Sequence, residues 1–373
     1  MGTVSGLFFC REGEETDKKL LGGLVRFRRT PVLWRLYLLG IPLISLKSRR
    51  KTVARILGIP LWFHDRTQSF FNYLGEMVEP GHDHIYIIRH NIGETFVYLS
   101  YIKQWIEVNK SQKPLVIAWR KKNISFYKMF LGEDIPVQYL SIPQSDINSF
   151  LREEVNDWNG RKIFCPTFRI AEAMKAELLA GQEVDFNKFI LRSMNLPEDS
   201  LPLNTPVVSE KTQLTISQML AERNTQNKPI AFLLPEATSL RQLPMSFWAE
   251  LCEALHNEGF FVVVNAKHEI SEIMADSFYF GQIDEVYELA KQSRVIFTLA
   301  SGMGVFLSSI GTPINLFYTA FKSKSIGYSA DLALKIYSVK SIYYKNYYHI
   351  SEINIEEENS LSNLAKRLAT SIK

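Results

Sequence analysis

From residue 84 onward, apolar residues fall into short runs and helical stripes that alternate along the chain. His84-Ile-Tyr-Ile-Ile-Arg-His90, rich in β-branched and aromatic residues, predicts a strand, and Asn91-Ile-Gly-Glu94 a tight loop. Apolar residues at 96, 98, 99, 102, 105 and 106 predict a helix over 95–108, and 114–119 reads as the next strand. That is a βαβ unit, expected to be parallel and right-handed. Strands at 137–140 and 162–165 continue the alternation until the irregular, proline-rich 196–208. The pattern then restarts with helix 212–223, strand 229–234, helix 244–256, strand 260–265, helix 283–292 and strand 295–299. A glycine turn at 301–304, a helix start at 305–310, a strand at 313–317 and a closing helix at 360–372 complete it. The expected fold class is α/β: two doubly wound, Rossmann-like domains in tandem, with ligands at the carboxyl ends of the strands and the active site in the cleft between them.

Ahead of residue 80 the pattern is different. Leu39-Gly40-Ile41-Pro42-Leu43 returns 18 residues later as Leu57-Gly58-Ile59-Pro60-Leu61, with Lys47, Arg49, Arg50, Lys51 and Arg55 between the copies. Two structures suit it. Thr30-Pro31 reads as a helix start and Gly40 as a stop, which would make each copy a short basic amphipathic helix. Equally, the copies could pair as two strands with Lys47-Ser-Arg-Arg-Lys51 at the turn. The expected organisation is therefore a basic, apolar extension over 1–80, a first Rossmann-like domain over 81–210 and a second over 211–373.

Charge sharpens the contrast. Residues 24–66 hold ten basic residues and one acidic residue, Asp65; that segment carries +9 of a whole-chain +4, leaving −5 on the rest. Basic residues flanking apolar ones suit an anionic membrane surface, each Lys or Arg adding about 1 kcal/mol near it. The alternative is that 36–63 packs on the first domain with its charges solvated. No window reaches the roughly 18 apolar residues of a spanning helix. The first twenty residues lack the basic start and apolar run of a secretory signal, so a cytoplasmic location, peripheral on the inner face of the membrane, is expected. Cys10, Cys165 and Cys252 are far apart and in no metal-binding spacing, so buried thiols are expected and no metal. Nucleic-acid binding is not expected, because the basic stretch carries no recognised docking module.

Three stretches carry candidate chemistry. In 85–96 a glycine follows a strand and opens a helix, with Glu94 at its mouth, either capping the helix or serving as a general base. In 233–255 a small polar loop holds Thr238 and Ser239 before a lone Arg241, which either reaches a diphosphate or is a solvated surface residue. In 298–318, Gly302 and Gly304 sit between a strand and a helix, where bare backbone lets a phosphate approach. Neither the dinucleotide fingerprint nor the P-loop is met.

In order and spacing these stretches resemble the heptosyltransferase-like glycosyltransferases of bacterial surface-polysaccharide synthesis, over about residues 84–320. IYIIRHNIGETF matches the family's first strand and loop, placing Glu94 at its catalytic aspartate. RQLP, followed by Trp248, Leu251 and Leu255, matches the opening of the second half, so the donor-phosphate lysine falls on Arg241. ASGMGVFL followed by IGTPI matches the family's glycine segment, with Ala300 in place of its aspartate and Val305 in place of its histidine. The resemblance implies a GT-B fold and a metal-independent, inverting glycosyltransferase without cofactor, moving a sugar from a nucleotide-sugar to a lipopolysaccharide, capsule or related acceptor. It implies Glu94 as the base. Thr238, Ser239, Arg241, Glu269, Ser301, Gly302, Met303, Gly304 and Val305 would hold the donor. The rivals are a nucleotide-sugar epimerase of the same architecture and a degenerate, nucleotide-binding subunit, the latter favoured by Ala300 and Val305.

Overall fold

The computed structural model describes residues 16–20, 25–30, 33–38, 41–48, 51–56, 59–118, 120–140, 155–158, 160–166, 174, 176–178, 180–182, 184–322, 327–343 and 348–372; of 16–70 and 155–157, among others, it describes the backbone alone. Cys10 and the far N-terminus lie outside these. Contacts divide the chain into one unit of residues 1–81 and 141–158 and another of 82–140 and 159–373.

In the first unit, β1 (Thr16–Leu20), β2 (Val25–Thr30), β3 (Leu33–Leu38), β4 (Ile41–Ser48), β5 (Lys51–Ile56) and β6 (Ile59–Asp65) form one sheet in which each strand pairs antiparallel with the next. The helical alternative for 30–40 is thus replaced by strand β3. An isolated helix of about ten residues is marginal, whereas 25–38 is rich in aromatic, β-branched and alternating positions that suit a sheet. Lys47-Ser-Arg-Arg-Lys51 does span the connection from β4 to β5, but the two copies of the repeat do not pair with each other: they open β4 and β6, on either side of β5. Each copy marks a bulge. Leu36 pairs with Ile44 and Tyr37 with Pro42, leaving Leu43 extra; 18 residues on, Ala54 pairs with Trp62 and Arg55 with Pro60, leaving Leu61 extra. Proline cannot donate to a ladder and is tolerated at such irregularities. Helix α1 (Arg66–Met77) follows, and β10 (Val155–Trp158) belongs to this unit too, the Trp158 ring stacking 6.0 Å from Phe71.

The second unit holds two lobes. In the first, β7 (His84–Ile88), β8 (Pro114–Ala118), β9 (Val137–Tyr139) and β11 (Arg161–Phe164) are parallel in the order β11-β7-β8-β9. The helix expected over 95–108 is two helices, α2 (Ile92–Ser100) and α3 (Ile102–Val108), parting at Tyr101; α4 (Ile124–Leu131) and α5 (Phe186–Ser193) complete the lobe.

Helix α6 (Glu210–Arg223), capped by Ser209 accepting from the Thr212 N–H at 3.2 Å, leads into the second lobe. Strands β12 (Ile230–Leu234), β13 (Phe261–Asn265), β14 (Ser277–Tyr279), β15 (Val295–Leu299), β16 (Ile314–Tyr318) and β17 (Ile350–Asn354) are all parallel in the order β14-β13-β12-β15-β16-β17. Both faces of this sheet are covered at its centre, so β12, β13 and β15 are almost wholly apolar, whereas the edge strand β17 carries Ser351, Glu352 and Asn354. Ala231, Leu233, Val262 and Val264 pack with Trp248 and Leu251 of α7 (Met245–Asn257) and with the closing helix Leu361–Thr370. The alternate residues Phe232, Leu234 and Val263, with Leu289 and Ala290 of α8 (Ile283–Lys291), join a core that continues into the first lobe.

Candidate functional site

In each lobe the strand order reverses once, at a point where a crevice opens outside the carboxyl ends. In the first lobe it lies between β7 and β11, where Arg89, His90 and Cys165 follow the strands and are buried. Burial, then the Arg89 charge, pushes the His90 pKa down to about 3, so its imidazole is neutral; it lies 5.0 Å from the Tyr98 ring. Burial pushes the Cys165 thiol up to about 12 against the pull of Arg89, which makes it a poor nucleophile. These groups build the floor of the crevice.

Helix α2 begins above that floor, with Asn91 at its N-cap and Glu94 in its first turn. Helix α9 (Gly302–Leu307) begins in the second lobe with Ser301 at its cap. The two helix starts touch backbone to backbone. A Cβ on Gly93 would sit 2.9 Å from Gly302 Cα, and one on Gly302 would sit 2.7 Å from the Gly93 nitrogen. Phe306 of α9 locks the joint, its ring 4.9 Å from Phe126 and 5.8 Å from Phe96. The helix turn that carries Glu94 thereby abuts the start of α9. Glu94 is half-buried, and desolvation raises its pKa above the ordinary carboxylate range, its own backbone N–H pulling the other way. A carboxyl so shifted is suited to take a proton.

The second lobe's reversal lies between β12 and β15, so the loops after these strands, residues 235–243 and 300–301, flank its crevice. Thr238, Ser239 and Arg241 are exposed on the first of them. A second loop, after β16, braces it. Arg241 N–H donates to Ala320 O at 2.8 Å, Lys322 N–H to Ser239 O at 2.9 Å, and the Thr319 hydroxyl to Arg241 O at 2.7 Å. The Lys322 ammonium donates to Ala237 O at 3.1 Å, which sets a second cation beside Arg241. Sequence reasoning missed Thr319 and Lys322, because their partners lie about eighty residues away. Glu269 is exposed on the neighbouring loop, after β13.

The glycine turn is corrected in one respect. Helix α9 starts at Gly302, earlier than expected, and ends in a 3-10 turn over Ser308–Ile310. A Cβ on Gly304 would lie 2.6 Å from Leu299 O and 3.1 Å from Thr298 Cγ2, so this buried glycine serves helix-to-strand packing. Gly302 is likewise spent on Gly93. Neither glycine leaves its missing side chain as open room for a phosphate; Ser301, Met303 and Val305 are half-buried around them.

Among the described residues, no three His, Cys, Asp or Glu are grouped to hold a metal, and no helix is long and apolar enough to cross a membrane. A cavity of about 680 Å3, lined in part by Asn224, Lys228 and Arg294, opens at the amino ends of β12 and β15, the edge opposite these loops.

No family model matches the sequence, and no curated protein matches it. Among solved structures, the chain is similar to the ADP-heptose lps heptosyltransferase II of E. coli, with 13% identity, a TM-score of 0.49, and 78% of this chain and 98% of that one covered. It is also similar to a family 9 glycosyl transferase of Veillonella parvula DSM 2008, at 10% identity, TM-score 0.42, covering 78% and 91%. A third similarity is to the E. coli heptosyltransferase WaaC with ADP, at 9% identity, TM-score 0.40, covering 78% and 100%.

Proposed function

We propose that the protein is a GT-B glycosyltransferase that moves a sugar from a nucleotide-sugar donor to a lipopolysaccharide, capsule or related glycan acceptor. The backbone contact of Gly93 with Gly302 supports this reading best, because it joins the helix turn that carries Glu94, a carboxyl of raised pKa, to the helix start that follows β15. In the inverting reaction, Glu94 accepts the proton of the acceptor hydroxyl while that oxygen attacks the anomeric carbon. The bond from that carbon to the donor diphosphate breaks, and the nucleoside diphosphate leaves with the electron pair. Arg241 and Lys322 meet the charge that develops there, with Thr238 and Ser239 donating hydrogen bonds, so no metal is invoked. Ser301 and the first N–H groups of α9 face the same edge, and Glu269 is the group assigned to the ribose. An acceptor built on lipid agrees with a peripheral position at an anionic membrane through residues 24–66.

The packing role of Gly304, together with Ala300 and Val305, favours a second reading: a subunit that binds nucleotide and no longer transfers. An epimerase would instead release a changed sugar nucleotide without acceptor. A thermal-shift screen of ADP-, UDP-, GDP-, CMP- and dTDP-sugars identifies the donor, and transfer is then measured for the wild type and Glu94→Gln. We expect the substitution to abolish transfer and leave donor binding within about twofold. Retained turnover removes Glu94 from its role, and binding without turnover in the wild type supports the second reading.

A further inference from the structure

The register of the six-stranded meander gathers most cations of its inner strands on one face. Arg28 stands opposite Arg35, Arg26 opposite Tyr37, Ser45 opposite both Arg35 and Arg55, and Lys47 opposite Leu33 and Val53. Paired residues share a face of a sheet, and so do alternate residues along a strand. Arg26, Arg28, Arg35, Lys47, Lys51 and Arg55 therefore fall on one face of the four inner strands. Those strands contain no acidic residue. The sheet's two acids, Asp17 and Asp65, stand on the outer strands β1 and β6, opposite Arg28 and Lys51, so they flank the same face at its two edges and leave Arg26, Arg35, Lys47 and Arg55 between them. The other face receives Phe27, Trp34, Leu36, Ile44, Leu46 and Ile56, with Arg29 as the lone base of the inner strands.

This division decides which face needs what. The apolar face requires cover, whereas Arg26, Arg35, Lys47 and Arg55, none of them with a carboxylate opposite, lose hydration with nothing in return if they are packed against protein. Their face belongs to water or to an anionic partner. Four strands about 4.8 Å apart make a band roughly 15 Å wide. Duplex nucleic acid is read by helices or ribbons that enter a groove, but a plane of headgroups is met by a flat array of cations.

We infer that the basic face of the meander docks flat on anionic phospholipid headgroups, held by charge, with the apolar face turned away from the bilayer. This rests on the proposed function only for the occupant, since a lipid-borne acceptor would lie at that surface. It narrows the membrane contact from residues 24–66 as a whole to one face of a sheet.

The test is co-sedimentation of the full-length protein with vesicles of phosphatidylcholine, with and without one-third phosphatidylglycerol. Binding is expected to the anionic vesicles alone, weakening at least tenfold from about 0.05 to about 0.5 M salt as charges are screened. Arg35→Glu/Lys47→Glu should weaken it at least ~tenfold, and Arg35→Lys/Lys47→Arg should restore it. Lys18→Glu/Arg29→Glu, with the same change in net charge but on the other face, should stay within about twofold of wild type; circular dichroism melts confirm that each variant is folded. Equal loss in both charge-reversed pairs, salt-insensitive binding, or preference for duplex DNA over anionic vesicles overturns the inference. Nucleotide binding, measured on the same proteins, reports separately on the transferase reading.

Discussion

At the scale of single residues, Glu94 makes the sharpest commitments. Its folded pKa is raised, so the native state holds its proton more tightly than the unfolded chain does. Its contribution to stability is present below the ordinary carboxylate pKa and is lost as pH rises through the raised value. Glu94→Gln should therefore raise Tm near neutral pH and change it little near pH 4, as scanning calorimetry at several pH values will show. For a base, the same shift should set the acid limb of the kcat/KM profile above the normal carboxylate range. Arg241 and Lys322 act on the donor: Lys322→Ala should raise the donor KM about tenfold with little change in Tm, and Arg241→Ala should do so more strongly. The strand and helix start around Glu94 were legible in the sequence because strand, glycine and helix stand in one local run, although the helix opens at Ile92, inside the stretch expected as a loop. Lys322 was not, because its placement depends on Ala237 and Ser239 across the sheet edge.

Elements show where local patterns mislead. The central strands of both lobes were legible from runs such as Phe-Val-Val-Val, whereas β14, β17 and helix α5 were missed, being short or weakly patterned. In the meander, Thr30-Pro31 and Gly40 carry helix punctuation, yet alternation and bulge-bearing Ile-Pro-Leu phrases win because a sheet gains from each added strand. A third, weaker copy, Leu21-Gly22, stands 18 residues before Leu39-Gly40, in the connection from β1 to β2. Eighteen residues is thus the length of two strands and their returns. The glycines at the joint of α2 and α9 yield the prediction for this scale. Gly302→Ala forces a methyl to 2.7 Å from backbone, an overpacking that typically destabilises by about 1–3 kcal/mol, and it should lower Tm by several degrees. Gly81→Ala, with open space around its Cβ but positive φ, tests strain without a clash and should be milder.

Another element-level anchor lies at the amino end of β7 and β8. Burial alone would raise the Asp83 pKa, but hydrogen bonds from the Ser111 hydroxyl at 2.7 Å and the Gln112 and Lys113 N–H groups outweigh it, and His84 adds to them, so the carboxyl lies well below its usual range. That stability is present above the unfolded carboxylate pKa and fades as pH falls toward the lowered folded one. Asp83→Asn should therefore melt earlier than wild type at neutral pH, with the gap closing on acidification.

For the whole molecule, the arrangement assigns separate tasks. The second unit sets two crevices at the carboxyl edges of parallel sheets and joins their helix starts through Gly93 and Gly302. The first is a meander whose register gathers most of its cations on one face. Tandem Rossmann-like lobes were legible because the apolar pattern restarts after residue 208, but the contact that unites them was not, since it requires two glycines 209 positions apart to meet. The central claim is that the loops after β12 and β16 grip a nucleoside diphosphate across from Glu94. Calorimetric titration with the five nucleoside mono- or diphosphates tests it most directly, in wild type, Arg241→Ala and Glu94→Gln. The account predicts that one nucleotide binds, that Arg241→Ala weakens it at least ~tenfold, and that Glu94→Gln leaves it nearly unchanged. No binding by any of them, or binding indifferent to Arg241, would contradict it.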